Sequence, residues 1–191
     1  MIRQSALSAA VSSLAFLLGC HGSKDVKSDD PYSPDRIASV ARNLKFHKVV
    51  IHPYTVDKSI EEPGTAATDC STATLTYLVE KNLFSSVQVA AAAPADPDTL
   101  VVDADVQALR IVSGGARFWG GAFVGSSHMT LLVVATDASG IAVGHRAVSD
   151  ANNAMGAAWS FGKTDRGLPS DMGLLVADAI IQLAQRSPAS N

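Results

Sequence analysis

The sequence predicts an α+β fold, a mainly antiparallel sheet with two helices packed on one face, in the order β-α-β-β-β-β-α. Three observations lead to this fold class. Residues 99–112 alternate between apolar and polar side chains, residues 128–150 contain two β-rich runs around a turn, and two further segments repeat apolar residues at helical spacing. The length of 191 residues suits one domain preceded by a leader.

The first half of the domain is predicted to form a strand, a helix and a second strand. Residues 44–56 are rich in β-branched side chains and run into a polar loop with a Pro-Gly step. Residues 69–83 form the predicted helix, with Thr68 or Asp69 as its N-cap. Its apolar face consists of Leu75, Leu78, Val79 and Leu83. The segment FSSVQVA that follows predicts a short strand.

The strand over residues 99–112 is predicted to be half-buried and antiparallel. Its apolar face consists of Leu100, Val102, Ala104, Val106 and Ala108. The opposite face consists of Val101, Asp103, Asp105 and Gln107. This pattern favours a solvated outer face, and the alternative is that Asp103 and Asp105 act as paired carboxylates in acid–base chemistry.

The last part of the chain predicts a hairpin and a helix. Asp137 to Gly140 form the turn between the two strands of the hairpin. Ser170 is the predicted N-cap of the final helix, directly after Pro169, and Ser187-Pro188 ends it. The apolar face of this helix consists of Met172, Leu175, Val176, Ala179 and Leu183.

The N-terminal residues resemble an export signal. Arg3 supplies a positive charge, and Ala6 to Leu18 form an apolar stretch that is too short to span a bilayer as a mature helix. Leu17-Leu18-Gly19-Cys20 resembles the lipobox of bacterial lipoproteins, in which the cysteine becomes the lipidated first residue of the mature chain. The resemblance implies a signal peptide over residues 1–19 and a lipid on Cys20. The alternative is an ordinary signal peptide in which Cys20 has no such role.

Residues 20–40 are polar and rich in Asp, Ser and Pro, which predicts a flexible tether before a single domain over residues 41–187. His21 follows Cys20 at a place where lipoproteins retained in the inner membrane often carry Asp. The resemblance therefore implies an outer-membrane anchor with the domain facing the periplasm. Cys70 then has no cysteine to pair with, and we expect a small buried side chain. Without the lipid, a Cys20–Cys70 disulfide becomes the alternative.

The composition argues against nucleic-acid binding, and the context of a P-loop-like motif argues against nucleotide binding. The net charge is −3, so the basic surface that binds nucleic acid is not expected. Ala157 to Thr164 spell A-x-x-x-x-G-K-T, a relaxed P-loop. A P-loop follows a buried strand and opens a helix, whereas polar residues precede this one and Gly167 and Pro169 follow it. We expect a loop with a solvated Lys163, no nucleotide and no other cofactor.

Candidate catalytic residues do not form a set. Ser160 lies in a relaxed nucleophile elbow, Ala158-Trp159-Ser160-Phe161-Gly162, which needs a triad histidine later in the chain. No histidine follows His145, so the α/β-hydrolase order is excluded. We expect no catalytic residue and no enzymatic activity.

The histidines do not predict a metal site. His47 and His52 are an odd number of residues apart, so a strand points them to opposite faces. In the predicted hairpin His128 lies opposite about Ser149 and not opposite His145. Neither pair has the spacing of a zinc site, and we expect no bound metal.

Residues 114–125, GGARFWGGAFVG, form the most unusual stretch of the sequence. One interpretation is a contact surface that presents aromatic side chains to a partner or to the membrane surface. Its candidate contact residues are Arg117, Phe118, Trp119 and Phe123. The alternative is a segment with close backbone approaches whose aromatic rings are buried in the core.

This stretch and the hairpin after it resemble the bacterial lipoproteins grouped as domain-of-unknown-function family 4410. The residues that carry the resemblance are a Gly-rich segment with the Arg117-Phe118 step, a strand from Met129, the turn from Asp137 to Gly140 and a second strand. The earlier LVEKNLFSSVQV resembles the helix-then-strand step of the family. The resemblance covers residues 40–186 and implies an exported, lipid-anchored envelope domain. It implies no catalytic residues.

These expectations combine into a function hypothesis. We expect a non-enzymatic adaptor or assembly component of the cell envelope that faces the periplasm. It would be bound to the membrane through its N-terminal lipid and to an envelope protein through its folded domain. The alternative is a module that binds a glycan or peptide with residues 114–125 and Trp159.

Overall fold

The computed structural model describes residues 34–61, 63–92, 95–152 and 163–189, which contain four α-helices and six strands. The helices are α1 (Pro34–Asn43), α2 (Ala66–Lys81), α3 (Gly114–Gly120) and α4 (Lys163–Ala184), and a 3-10 helix (Gly121–Val124) follows α3. The strands are β1 (Lys48–Ile51), β2 (Thr55–Val56), β3 (Ser86–Val89), β4 (Thr99–Arg110), β5 (His128–Asp137) and β6 (Ala142–Ala151).

All six strands belong to one open sheet. Its order is β3-β1-β4-β5-β6, and β2 pairs with β4 beside β1. The two long ladders, β4 with β5 and β5 with β6, are antiparallel, whereas β1 pairs in parallel with β3 and β4, and β2 in parallel with β4. The predicted α+β class with a mostly antiparallel sheet is confirmed, and the parallel pairs at one side were not predicted.

The predicted element order and the count of two helices differ from the structure. Helix α1 begins within residues 20–40, which were expected to form a tether. A helix forms there because Ile37, Val40 and Ala41 share one half-buried face, and the buried Leu44 follows directly after the helix. Helix α3 lies in the Gly-rich segment, for which no helix was predicted.

The strand predicted over residues 44–56 is shorter and is interrupted. Ile51 lies opposite Val102 and Thr55 opposite Asp105, so three residues of this strand face two residues of β4. Pro53 lies in the interruption, and its ring nitrogen cannot donate a ladder hydrogen bond. The result is a bulge that divides the strand into β1 and β2.

The core lies between the sheet and helices α2 and α4. The buried strand residues include Val49, Ile51, Leu100, Val102, Ala104, Val106, Leu131 and Val133, and the helix residues packed with them include Leu78, Met172, Val176 and Ile180. Ala108 was predicted to share this face, but the register of β4 against β5 shifts between Val106 and Ala108, which turns Leu109 toward the core instead.

Helix α2 begins and ends a few residues earlier than predicted. Thr65 is its N-cap, and Asn82 ends it in the left-handed conformation with φ 49°. The buried residues of its central stripe are Cys70, Thr74 and Leu78 at intervals of four. Val79 was predicted to face the core and is 56% exposed instead, since this stripe turns it away.

Helix α4 begins at Lys163, seven residues before the predicted N-cap Ser170. Pro169 lies inside the helix. Because proline has no backbone N–H, only the carbonyl four residues earlier lacks its helical hydrogen bond. Leu168 is fully buried, so the first two turns contribute to the core despite the proline. Leu175 was predicted to be on the buried face, and it is 40% exposed.

The predicted hairpin turn is confirmed. Asp137 accepts a backbone hydrogen bond from Gly140 at 3.0 Å, and Gly140 has φ 83°, which suits glycine. The turn closes on Ile141, and the register shifts again between Ala135 and Thr136. His128 therefore lies opposite Ala151 and not opposite Ser149 as predicted.

Candidate functional site

The aromatic segment, residues 114–124, connects the paired ends of β4 and β5 at one end of the sheet. It consists of helix α3 and the 3-10 helix. Arg110 and His128, the last and first residues of the two strands, are register partners. The segment therefore projects from the sheet as the connection of an antiparallel pair.

Hydrogen bonds fix the base of the aromatic segment. The buried Ser127 hydroxyl oxygen accepts a hydrogen bond from the backbone N–H of Val112 at 2.9 Å. The guanidinium of Arg110 donates to the carbonyl of Val124 at 2.8 Å. Gly125, with φ 87°, lets the chain turn back toward β5 while the guanidinium lies against it. The segment is thus held at both of its ends.

The aromatic side chains of this segment point away from the core. Phe118 is 62% exposed, Trp119 87% and Phe123 fully exposed. The rings of Phe118 and Trp119 meet edge to face, with centroids 5.1 Å apart, which is a favoured aromatic geometry. The alternative that the aromatic rings are buried in the core is wrong for these residues.

All four predicted contact residues lie on this segment, and the three aromatic side chains among them are exposed. Arg117 belongs to α3 as well, and its side chain lies outside the described part of the structure. Trp159 and Ser160 also lie outside the described residues, as does the predicted lipidation site Cys20. The role of the aromatic segment in binding a partner stays a prediction.

A cleft of about 540 Å³ lies beside the base of the aromatic segment. It is formed by the turn from Ser59 to Glu61 and by the ends of β4 and β5. Its lining brings Glu61, Arg110 and His128 together with the side chain of Ile111, which is 39% exposed. The cleft therefore offers both signs of charge and one apolar wall to a ligand.

The two aspartates that share the outer face of β4 have separate partners. Asp103 Oδ1 lies 2.8 Å from Nδ1 of His52, and Asp105 accepts a hydrogen bond from the Thr55 hydroxyl at 2.7 Å. Each carboxylate is thus held by a different side chain from the neighbouring part of the sheet. This arrangement favours the solvated outer face over a paired-carboxylate site, and the side chain of Asp103 is 60% exposed.

These pairs were not predicted from the sequence, because they depend on the parallel alignment of β1 and β2 with β4. The same alignment places His47 Nδ1 2.8 Å from Asp98 and Lys48 Nζ 2.7 Å from Asp96. The carboxylate of Asp96 holds the pKa of Lys48 above its ordinary value. The available signal was a basic side chain at each end of β1, but the sequence does not indicate which aspartate each one meets.

The described histidines do not come together as a metal site. Nε2 of His52 is buried and has no hydrogen-bond partner among the described residues, whereas Nδ1 of the same ring lies 2.8 Å from Asp103. No group of three His, Cys, Asp or Glu in the described ranges is placed to hold a metal ion.

The end of the P-loop look-alike is helical and not the loop that was expected. Helix α4 does begin at Lys163-Thr164 and continues through Gly167 and Pro169. The strand that precedes it, β6, is an antiparallel edge strand with exposed residues toward its end, unlike the buried strand of a P-loop. Residues 153–162 lie outside the described part of the structure.

Cys70 is the buried small residue that the sequence predicts. It is fully buried on α2, and burial raises the pKa of its thiol to about 12. A buried thiol of this kind is inert toward oxidants and metals.

One described span, Thr164–Ala184, is long and apolar enough to cross a membrane by length and composition. More than half of that span is buried inside the domain, where Met172, Val176 and Ile180 pack in the core. Core helices commonly pass the same test, so the finding gives weak support for a membrane span.

No protein-family model and no curated protein matches the sequence. Among solved structures, the chain is similar to the PelC dodecamer of Paraburkholderia phytofirmans, with 17% identity and a TM-score of 0.48 over 74% of this chain and 90% of that one. A dodecamer of the same protein with a single leucine-to-methionine substitution gives 17% identity and a TM-score of 0.46 over 74% and 89%. At these values the function has to be argued from the site of this chain.

Proposed function

We propose that this protein is a lipid-anchored, non-enzymatic adaptor of the cell envelope that binds a protein partner through the aromatic segment. The observation that carries the proposal is the exposure of Phe118, Trp119 and Phe123 on one connection of the sheet. Large aromatic side chains that meet water on a monomer mark contact surfaces.

The attachment of the aromatic segment supports a binding role. Arg110 and Ser127 tie both ends of the segment to the sheet. A segment held in this way loses little conformational freedom when it binds, so more of the contact energy remains as affinity. Tryptophan is enriched among the residues that contribute most to interfaces, and Trp119 is the more exposed ring of the pair with Phe118.

The lipid anchor is the second part of the proposal and depends on the lipobox-like sequence before Cys20. An anchor at Cys20 would hold the domain near the membrane and raise the local concentration of envelope partners. The adaptor role needs no catalytic group, which agrees with the separate pairing of Asp103 and Asp105.

Photo-cross-linking in the native envelope tests the adaptor role. A benzophenone side chain replaces Trp119 in one variant and Val79, which is 56% exposed on α2, in a matched control. We expect a defined envelope protein to be attached to the first variant and not to the control. Phe123→Ser should reduce the yield at position 119 by at least about tenfold, because hot-spot aromatics contribute roughly 2 kcal/mol or more.

The result also distinguishes the membrane from a protein partner. Attachment of lipid alone at position 119 would contradict the adaptor role and would make the segment a membrane-surface contact. Equal protein attachment at positions 119 and 79 would also contradict the proposal.

The second candidate is a binding module for a glycan or peptide, which the cleft beside the aromatic segment favours. Glu61, Arg110 and His128 line this cleft next to exposed aromatic rings, a combination that suits polar ligands with apolar faces. We expect Trp119→Ala to abolish binding of such a ligand in calorimetry while the circular dichroism spectrum stays unchanged. Unchanged affinity in this variant would reject the binding module.

A further inference from the structure

Strand β6 forms a long edge of the sheet. Within the described residues no strand pairs with its outer side, although it spans ten residues. From His145 to the end of the strand, its exposed side chains are His145, Arg146, Ala147, Ser149 and Ala151. The opposite edge, β3, spans only four residues. Natural proteins rarely leave a long edge strand without protection, because its backbone is a template for another strand.

The backbone of β6 alternates between β5 and the open side. The N–H of Asn152 donates to the carbonyl of Ser127 at 3.0 Å, which makes these two residues a hydrogen-bonded pair. In an antiparallel ladder the pairs alternate, so Arg146, Val148 and Asp150 bond toward β5. The residues whose backbone groups point to the open side are then His145, Ala147, Ser149 and Ala151. The N–H of Ala151 already donates to Oδ1 of Asp150 at 2.8 Å, so pairing there exchanges this local bond for one to the partner strand. At the other end of β6, the carbonyl of Ala142 accepts from Ala189 at 2.9 Å, which closes the edge there.

The sequence of this open edge is complementary to itself. Arg146 and Asp150 lie two residues before and after Val148, and all three share one face of the strand. Consider a second copy whose β6 pairs antiparallel with this one, so that the two-fold axis passes between the two Val148 residues. Arg146 then lies opposite Asp150 of the partner subunit, and Asp150 lies opposite Arg146 of the partner subunit. Opposite charges in directly facing positions stabilise a strand pair.

The register that pairs the charges also satisfies the backbone hydrogen bonds between the two strands. With Val148 on the axis, Ala147 lies opposite Ser149 of the partner subunit, and both residues point their N–H and C=O to the shared side. A shift by one residue would place N–H and C=O groups that point to the open side opposite groups that point toward β5, so the two strands could not form hydrogen bonds. A shift by two would satisfy the backbone but would separate Arg146 from Asp150 of the partner subunit.

A groove on the helix side of this edge supplies an independent observation. It has a volume of about 410 Å³, lies between β6 and α4, and is lined by Arg146, Val148, Leu175 and Asp178. Leu175 in this lining is 40% exposed. A second copy paired along β6 brings its own Val148 beside this groove and removes part of the leucine surface from water.

We propose that β6 is the interface of a homodimer with two-fold symmetry, in which two six-stranded sheets join edge to edge. The occupant of the edge is a second copy of this chain, because a copy supplies the matching Arg146 and Asp150 in the register that the backbone requires. The surface is separate from the aromatic segment, so the inference does not depend on the adaptor role.

Charge reversal tests the register. The full chain is studied with Cys20→Ser so that no lipid is attached, and its mass is followed by analytical ultracentrifugation. We expect the parent to dimerise and Arg146→Asp and Asp150→Arg each to raise the dimer dissociation constant by at least about tenfold, because each puts two like-charge pairs in the interface. The double variant Arg146→Asp/Asp150→Arg should restore dimerisation. A monomeric parent, or a double variant no better than the single ones, would overturn the proposal.

Disulfide trapping tests the axis directly. Cα atoms of a facing non-hydrogen-bonded pair lie about 4.5 Å apart, within reach of a disulfide. In the same Cys20→Ser background, where the other thiol is the buried Cys70, Val148→Cys should form a covalent dimer under mild oxidation. Ser86→Cys on the exposed edge β3 is the control and should stay monomeric on a non-reducing gel. Equal disulfide formation at both positions would indicate random collision and would reject the interface. The interface would also be rejected if the protein is a dimer in solution but Val148→Cys forms no covalent dimer.

Discussion

At the scale of single residues, the contact between Tyr54, Cys70 and Thr74 ties the β1–β2 connection to the two main helices. The Tyr54 hydroxyl donates to the Thr74 hydroxyl at 2.9 Å, and Thr74 reaches the carbonyls of Cys70 and Gly173 at 2.9 Å and 3.1 Å. Burial raises the pKa of Cys70 to about 12 and also raises the pKa of Tyr54 far above its ordinary value. Neither group ionises in the folded protein until the medium is strongly alkaline.

These two groups predict a loss of stability at alkaline pH. The unfolded chain releases the protons of Cys70 above pH about 9 and of Tyr54 above about 10, whereas the folded chain keeps them. The unfolded state then binds fewer protons, so the free energy of unfolding falls as pH rises, by about 1.4 kcal/mol per pH unit for each group. Urea unfolding between about pH 8 and 11 measures this slope.

Substitution isolates the contribution of each group. Cys70→Ala and Tyr54→Phe should each be less stable than the parent near neutral pH, and each should show a shallower decline with pH. A decline as steep as that of the parent in both variants would show that other groups cause the alkaline effect.

At the scale of elements, the crossing of α2 and α4 depends on one glycine. A Cβ atom at Gly173 would lie 2.6 Å from both the Cβ of Ala73 and the carbonyl oxygen of Cys70. Because one of these atoms belongs to the backbone, a rotamer change cannot relieve the clash. Gly173 therefore lets the two helices approach at the point where Thr74 bridges them.

Substitution of two glycines in the same helix tests this close approach. Gly173→Ala should lower the free energy of unfolding by about 1–3 kcal/mol, since overpacking outweighs the better helix propensity of alanine. Gly167→Ala is the control, because its Cβ would meet nothing closer than 3.8 Å, and it should be neutral or stabilising by up to about 1 kcal/mol. Equal effects of the two substitutions in urea unfolding would argue against a tight crossing.

Elements with strong local signals could be predicted from the sequence, and those set by distant contacts could not. The hairpin follows from the turn at Asp137 to Gly140, whose carboxylate accepts hydrogen bonds from Ser139 and Ile141. The start of α4 was misplaced because Pro169 resembles a first-turn proline, while the burial of Leu168 extends the helix before it. The parallel pairing of β1 with β4 depends on the crossover through α2 and β3, which no local pattern reveals.

At the scale of the whole molecule, the fold has three distinct surfaces. Helices α2 and α4 cover one sheet face, the aromatic segment projects from one end, and β6 forms an edge to whose outer side no described strand pairs. The sequence singled out the aromatic segment, but it left open whether the rings were buried, because core and contact surfaces use the same residue types. Their exposure is decided by a short helix outside the sheet, which Gly114, Gly120 and Gly121 made difficult to predict.

The measurement that tests the proposed function most directly is membrane partition and intact mass of the wild type beside Cys20→Ser. We expect the wild type to fractionate with membranes at a mass that includes a lipid on Cys20 and lacks residues 1–19. The variant should be released or left unprocessed, while its folded domain keeps the urea midpoint of the wild type. Two soluble proteins that differ only by the mass of the substitution would contradict the lipid anchor, and the search for a partner of the aromatic segment would then leave the envelope.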